Sequence, residues 1–340
     1  MRVLWRLGLL ALVLGAALAA ATAFELRRPG PVLDAAVTIS VAQGDRLGAV
    51  ARDLADRGVL RYALPLVVWA RLTRRDRGIH YGEFTISTRQ TPLELLARLT
   101  GKPDPPQPVT IPEGLSVREV VALLANAGFG SEESFHCLLQ DAEFLDSASL
   151  PAAGPEGYLF PDTYAFPRST SPEFILRTMI HRFQEVSGAE FARQAARLAL
   201  SEHEAVTLAS LVEEETAVPD ERRLVAAVFV NRLRRGMPLQ SDPTVLYGRL
   251  DSSRKITRAD LRRHTSHNTY TMTGLPPSPI ANPGRAALEA AVDPAPVDYL
   301  YFVARGDGSH QFSATLAAHN AAVAQYVKRR LKDARPRSRS

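Results

Sequence analysis

Apolar and polar positions fall into three successive regimes along this chain. Leu7 to Phe24 carries no charge over 18 residues and follows Arg2 and Arg6, which predicts a segment that enters a bilayer with its basic end cytoplasmic. Ala21-Thr22-Ala23 has the small-x-small pattern of a cleavage site, so residues 1–24 read either as a retained single-pass anchor or as a removed leader. The length of the run and Arg27 and Arg28 beyond it favour the anchor, and either reading puts the bulk of the chain outside the cytoplasm.

The second regime is short and repetitive. Ile39, Gly44, Leu47, Val50, Leu54 and Gly58 recur at an offset of 70 as Val109, Gly114, Val117, Val120, Leu124 and Gly128. Each copy predicts a strand, a glycine turn, an amphipathic helix and a glycine stop. Tyr81 to Ser87 alternates like a strand, and Thr91-Pro92 opens a helix over Leu93 to Leu99. The proline-rich stretch Lys102 to Pro108 is a stiff linker closing a module at 37–101; residues 109–153 form a second βα segment.

From Pro172 onward a helical period dominates, with helices predicted over 172–187, 190–200, 201–215 and 219–235. Met237 to Asn282 is long, polar and rich in proline, and passages of that length without a period are functional or disordered; recurrent aromatic and branched residues argue for function. Within it Asp242 is placed to cap a short helix opened by Pro243. A helix to Val292, a hairpin around Arg305 to Gly308 and a last helix capped by Thr315 complete a helix-rich domain, 154–330, before a basic tail at 331–340. The fold class is α+β.

Composition narrows the chemistry. A single cysteine, Cys137, excludes an internal disulfide framework and a cysteine metal site, and the net charge of +5 is concentrated in a C-terminal cluster that reads as a solvated tail. His264 and His267 lack a third ligand, Gly306-Asp-Gly308 sits in a hairpin rather than between strand and helix, and no serine elbow occurs. No metal, cofactor or nucleic-acid partner is expected. The carboxylates stand out instead. Ser201 and Glu204 form a capping box, and at about 100° per residue Ala205, Leu208, Leu211 and Val212 make a stripe that includes Glu215 and leaves Glu213 and Glu214 outside. A carboxyl group against an apolar wall has a raised pKa and suits general acid work. The alternative is a C-terminal turn in which Glu215 has already left the stripe.

At these residues the chain resembles a known family, the membrane-anchored endolytic murein transglycosylases with the YceG-like fold. The resemblance rests on Leu208 to Thr216, Val228 to Leu233, Met237 to Gly248, Tyr270 to Pro277, Tyr299 to Val303 and His319-Asn320, with Glu214 and Ser241 where the family commonly has Lys and Thr. It implies that Glu215, immediately before Thr216, is the catalytic acid and base. It also implies cleavage between N-acetylmuramic acid and N-acetylglucosamine in nascent peptidoglycan, leaving 1,6-anhydromuramyl ends and ending chain elongation. Gln240, Asp242, Asn268, Tyr270 and Glu156 become candidates for holding the sugar. The first module resembles a LysM-like carbohydrate-binding unit. Implied partners are glycan strands, the inner membrane and peptidoglycan synthases of the penicillin-binding class. A hydrolytic muramidase using Glu156 or Asp242 as a second carboxylate, and a non-catalytic glycan-binding scaffold, are the rival functions.

Overall fold

The computed structural model describes residues 2–31, 37–86, 90–168, 170–248 and 256–328, and the chain divides into two compact units. The first takes in the chain to Pro108 with Ala165–Thr170, and the second Val109–Tyr164 with everything from Ser171. The basic cluster from residue 329 on lies outside the described residues.

In the first unit, helix α1 (Arg2–Arg27) covers the uncharged run. Among the described residues no helix is long and apolar enough to cross a membrane; the side chains of residues 1–8, 10 and 11, part of that run, are outside the described set. Strands β1 (Val37–Val41) and β2 (Gly82–Ile86) pair antiparallel, with Ile39 opposite Phe84, and between them lie α2 (Leu47–Asp56) and α3 (Ala63–Leu72). Helix α4 (Pro92–Leu99) follows, started by a Thr91/Glu94 capping box with Pro92 at its first position. Ile39, Leu54, Leu66, Phe84, Leu95 and Leu96 are buried in the common core. Helix α3 escapes a reading of periodicity because it is apolar on two faces. Leu66 and Ala70 are buried, while Leu64, Val68 and Leu72 on the opposite side stay exposed.

The second unit takes in the end of β3 (Gln107–Thr110) and the start of β4 (Thr163–Phe166), which form a two-stranded sheet, with α5 (Val117–Asn126), α6 (Glu132–Gln140) and α7 (Ala142–Ser147) between them. The offset of 70 is visible in the backbone, since α5 begins and ends 70 residues after α2. Gly58 and Gly128 both have positive φ after the helix, and Val59 and Phe129 donate back to the Leu54 and Leu124 carbonyls.

Helix α8 (Pro172–Arg197) is broken at Gly188, where the two predicted helices meet. Then come α9 (Glu202–Glu215), α10 (Arg222–Arg234), α11 (Pro243–Leu246), α12 (Arg258–Arg262), α13 (Arg285–Val292), the antiparallel hairpin β5 (Tyr301–Ala304) and β6 (His310–Ser313), and α14 (Leu316–Val323). Helix α9 is the centre of the core, and every residue from Ala205 to Val212 is buried. This revises the stripe, because a helix wrapped on all sides has no single apolar face to mark Glu215. The polar neighbours of Glu215 mark it instead.

Candidate active site

The position of Glu215 is fixed from both ends of α9. At the start, Ser201 Oγ accepts from Glu204 N (3.2 Å) and Glu204 Oε2 accepts from Ser201 N (2.8 Å). At the end, Thr216 turns to extended backbone, and its hydroxyl accepts from Val218 N (3.1 Å) and reaches Glu221 Oε2 (3.5 Å). The buried Glu221 is itself held by His310 of β6, through the backbone N–H (2.8 Å) and Nδ1 (2.7 Å). Glu215 is therefore the last residue of a helix whose exit is clamped.

Burial pushes the Glu215 carboxyl up to about 7. The Ser241 hydroxyl, donating to Oε1 at 2.6 Å, pulls the other way; the neighbouring charges of Asp242 and Glu214 raise it further, and Arg232 lowers it. The open carbonyls of a helix C-terminus also disfavour a carboxylate there. Arg232 is buried and spoken for: its guanidinium donates to the carbonyls of Leu300 (2.7 Å) and Leu239 (2.8 Å) and lies over the Tyr301 ring. It stabilises charge near Glu215 without being free to move.

Ser241 is placed by an irregular loop made rigid by hydroxyls. Gln240 adopts φ +55, Ser241 N donates to Thr269 Oγ1 (2.9 Å), and Thr244 Oγ1 donates to Ser241 O (2.6 Å) while pairing with Thr269 Oγ1 (2.9 Å). Asp242 stands at the N-cap of α11 but makes no cap bond, contrary to the sequence expectation. Its carboxylate accepts instead from Tyr270 Oη at 2.6 Å, the stronger offer because a phenol is a better donor than an amide.

Asp242 and Glu214 also line a cleft of 540 Å³ whose other walls include Gly114, Ser116, Glu119, Glu156 and Tyr247. Burial raises Glu214 to about 7, with Glu213 and Glu119 adding to it. Glu156 is buried and is likewise raised to about 7, although it accepts from Val117 N (2.8 Å) and Tyr247 Oη (3.2 Å). Glu213 differs. It accepts from Gly284 N (2.9 Å) and faces Arg222 (3.6 Å), which makes it a structural ion pair.

The predicted residues thus separate. Asp242 and Glu156 line the cleft with Glu214 and Glu119, and Tyr270 is joined to it only through its bond to Asp242. Gln240 is exposed at the edge, its Oε1 3.4 Å from Arg232. Asn268 is buried and its amide is spent on the loop: Nδ2 donates to Arg263 O (2.7 Å) and toward the Asp260 and Leu261 carbonyls, and Oδ1 accepts from Tyr270 N. Its hold on a sugar would be indirect, through Tyr270. Arg232, Tyr247, Asn282 and the hydrogen-bonding role of Ser241 were not foreseen. Ser241 carried a signal in its place between Gln240 and Asp242; the other three carry none without the fold. His267 bonds Ser266 and Ser278 and packs on Tyr247, and no three potential ligands cluster among the described residues.

A buried acid at a helix end, beside the cleft-lining carboxylates Glu214 and Asp242, is the outline of an acid/base enzyme acting on a polar polymer. The profile of the YceG-like family matches residues 39–325. The chain is 31% identical over 310 residues to an endolytic murein transglycosylase of Bacillus subtilis, covering 86% of this chain and 85% of that one. It is 28% identical over 327 residues to an endolytic murein transglycosylase of Streptococcus pneumoniae, covering 87% of this chain and 59% of the longer relative. The crystal structure of a YceG-like protein from Listeria monocytogenes aligns with a TM-score of 0.58 at 29% identity, over 85% of this chain and 99% of that one. The chain belongs to the YceG-like family.

Proposed function

We propose that this protein is an endolytic murein transglycosylase in which Glu215 serves as both acid and base. The carrying observation is a carboxyl group held at about 7 by burial and oriented by one short bond from Ser241. Protonated, Glu215 donates to the glycosidic oxygen as the muramyl C1–O bond breaks; ionised, it takes the proton of the C6 hydroxyl that closes on C1. No water is consumed, because the nucleophile is tethered to the sugar. Asp242, fixed by Tyr270, and Glu156 line the path of the strand. The names of the Bacillus and pneumococcal relatives support the same reaction.

The finer reading places α1 in the cytoplasmic membrane as a single-pass anchor with the rest of the chain outside. The module at 37–101 acts as a LysM-like glycan-binding unit, and nascent strands are cut beside peptidoglycan synthases, so that elongation ends. A two-carboxylate hydrolase is the second reading, favoured by Glu156, which also sits near 7 on the same cleft. Mass analysis of products from uncrosslinked strands separates them. Anhydromuramyl ends, one water lighter than reducing ends, are expected. Mainly reducing ends, with Glu156→Gln as inactive as Glu215→Gln, would establish the hydrolase.

A pH profile tests the acid directly. Cleavage starts from protonated Glu215, so kcat/KM is expected to fall as pH rises through about 7. The Ser241 hydroxyl stabilises the ionised form, so Ser241→Ala should move that limb upward by about one pH unit. A limb that stays in place would show that another group controls it.

A further inference from the structure

Helix α3 carries an apolar face that the fold does not use. Leu66 and Ala70 point into the core of the first unit and are fully buried. On the opposite side Leu64, Val68 and Leu72, spaced by four residues, form one stripe, with Leu64 and Leu72 more than two-thirds exposed and Trp69 beside them at 37%. A ten-residue helix that is apolar toward solvent as well as toward the core costs the protein solubility unless something covers it.

The charges around it say what does. Arg71 lies next to the stripe on the helix itself, and Arg74, Arg75 and Arg77 follow directly after it with only Asp76 opposing them. The ion pairs of the described residues include none for these four arginines. Apolar side chains bordered by arginines are the pattern of a surface that lies in the headgroup region of an anionic bilayer. The stripe spans about three turns, too little to hold a second copy of the chain by itself. Position agrees. Helix α1 packs against α3 and α4, and Leu26 near its end is buried, so the helix proposed above as the anchor is continuous with the unit that bears the stripe.

We infer that the exposed face of α3, Leu64, Val68, Trp69 and Leu72 with the arginines beside it, docks on the surface of an anionic lipid bilayer. This rests on α1 being the membrane anchor and adds a second, lateral contact that fixes the first unit against the headgroups. An anchor alone would leave the unit free to tumble on the membrane; two contacts hold it in one orientation.

Trp69 is the probe, because Trp5 is the other tryptophan of the chain and Trp5→Phe leaves Trp69 alone. The full-length Trp5→Phe protein is reconstituted into phosphatidylcholine vesicles with and without phosphatidylglycerol, using lipids brominated near the headgroup. Emission is expected to fall about twofold in the anionic vesicles and far less in the neutral ones. Arg74→Gln with Arg75→Gln and Arg77→Gln should reduce the quenching to the neutral level, and Leu64→Ser with Leu72→Ser should abolish it; all five positions are outside the core. Vesicle flotation reports the anchor separately. Protein that floats with its vesicles while Trp69 remains unquenched, or is quenched equally by neutral lipid, overturns the docking face and leaves the anchor standing. Protein that does not float overturns both.

Discussion

Replacing Glu215 by Gln is expected to lower glycan cleavage about 10³-fold while leaving the fold and strand binding intact, since Gln keeps the shape of the side chain and can neither give nor take the proton. Its neighbours should behave differently, each for a reason visible in its contacts. Glu214→Gln removes a negative charge that raises Glu215, so its loss should be about tenfold or less and should move the pH limb downward. Glu213→Gln breaks the pairing with Arg222 and weakens the bond to Gly284 N, so it should cost stability more than rate. Assays of the purified variants on uncrosslinked strands, with melting curves alongside, check all three. Equal loss at Glu213 with little at Glu215 would mean that the proton is carried elsewhere.

Asn282→Leu is expected to cost about 3 kcal/mol of stability, because it strands several buried groups at once. The Asn282 side chain is fully buried; Oδ1 accepts from Gly157 N (3.1 Å) and Leu159 N (2.9 Å), and Nδ2 donates to Leu115 O (2.7 Å). One amide thus joins the segment before α5, the loop after Glu156 and the entry to α13. Asn282→Asp keeps the Oδ1 acceptor of both backbone N–H groups but sets a second carboxylate where Nδ2 lay 3.5 Å from Glu156 Oε1. That variant should fold at low pH and lose stability as pH rises and the two groups ionise. Denaturant titration at two pH values measures both effects, and a loss below about 1 kcal/mol for the Leu variant would show that water replaces the amide.

Local signals carried well from sequence to structure, and long-range ones did not. Ser201 with Glu204 marked one helix start because a capping box is complete within four residues, and Thr91-Pro92 marked another through the proline at its first position. The pairing of Glu215 with Ser241 spans 26 residues of chain that include α10, and it depends on a loop ordered by Thr244 and Thr269 hydroxyls rather than by a hydrophobic period. The same loop explains why Asn268 read as a sugar ligand: a buried asparagine that serves carbonyls and one that serves a ligand look alike in sequence. Helix α3 gives no periodic signal because its two apolar faces cancel the amphipathic pattern. The strand-turn-helix repeat was legible because both copies bury the same strand residue and the same two helix positions, Val50 and Leu54 in one and Val120 and Leu124 in the other, and use the same left-handed glycines.

Those two glycines show how a duplicated turn can diverge in its obligations. Gly44 and Gly114 share a positive φ, of 94° and 81°, but an added Cβ at Gly44 would meet open space, whereas at Gly114 it would come within 2.9 Å of Glu214 Oε1. The first turn answers only to its backbone. Asn can adopt that conformation, so substitution there is tolerable at a cost of about 1 kcal/mol. The second turn answers also to a carboxyl group on the cleft, and even the smallest side chain would displace it. A substitution at Gly114 would therefore be felt at the cleft through Glu214, whereas one at Gly44 would be felt only in its own backbone, so the same turn is coupled to the site in one copy and not in the other.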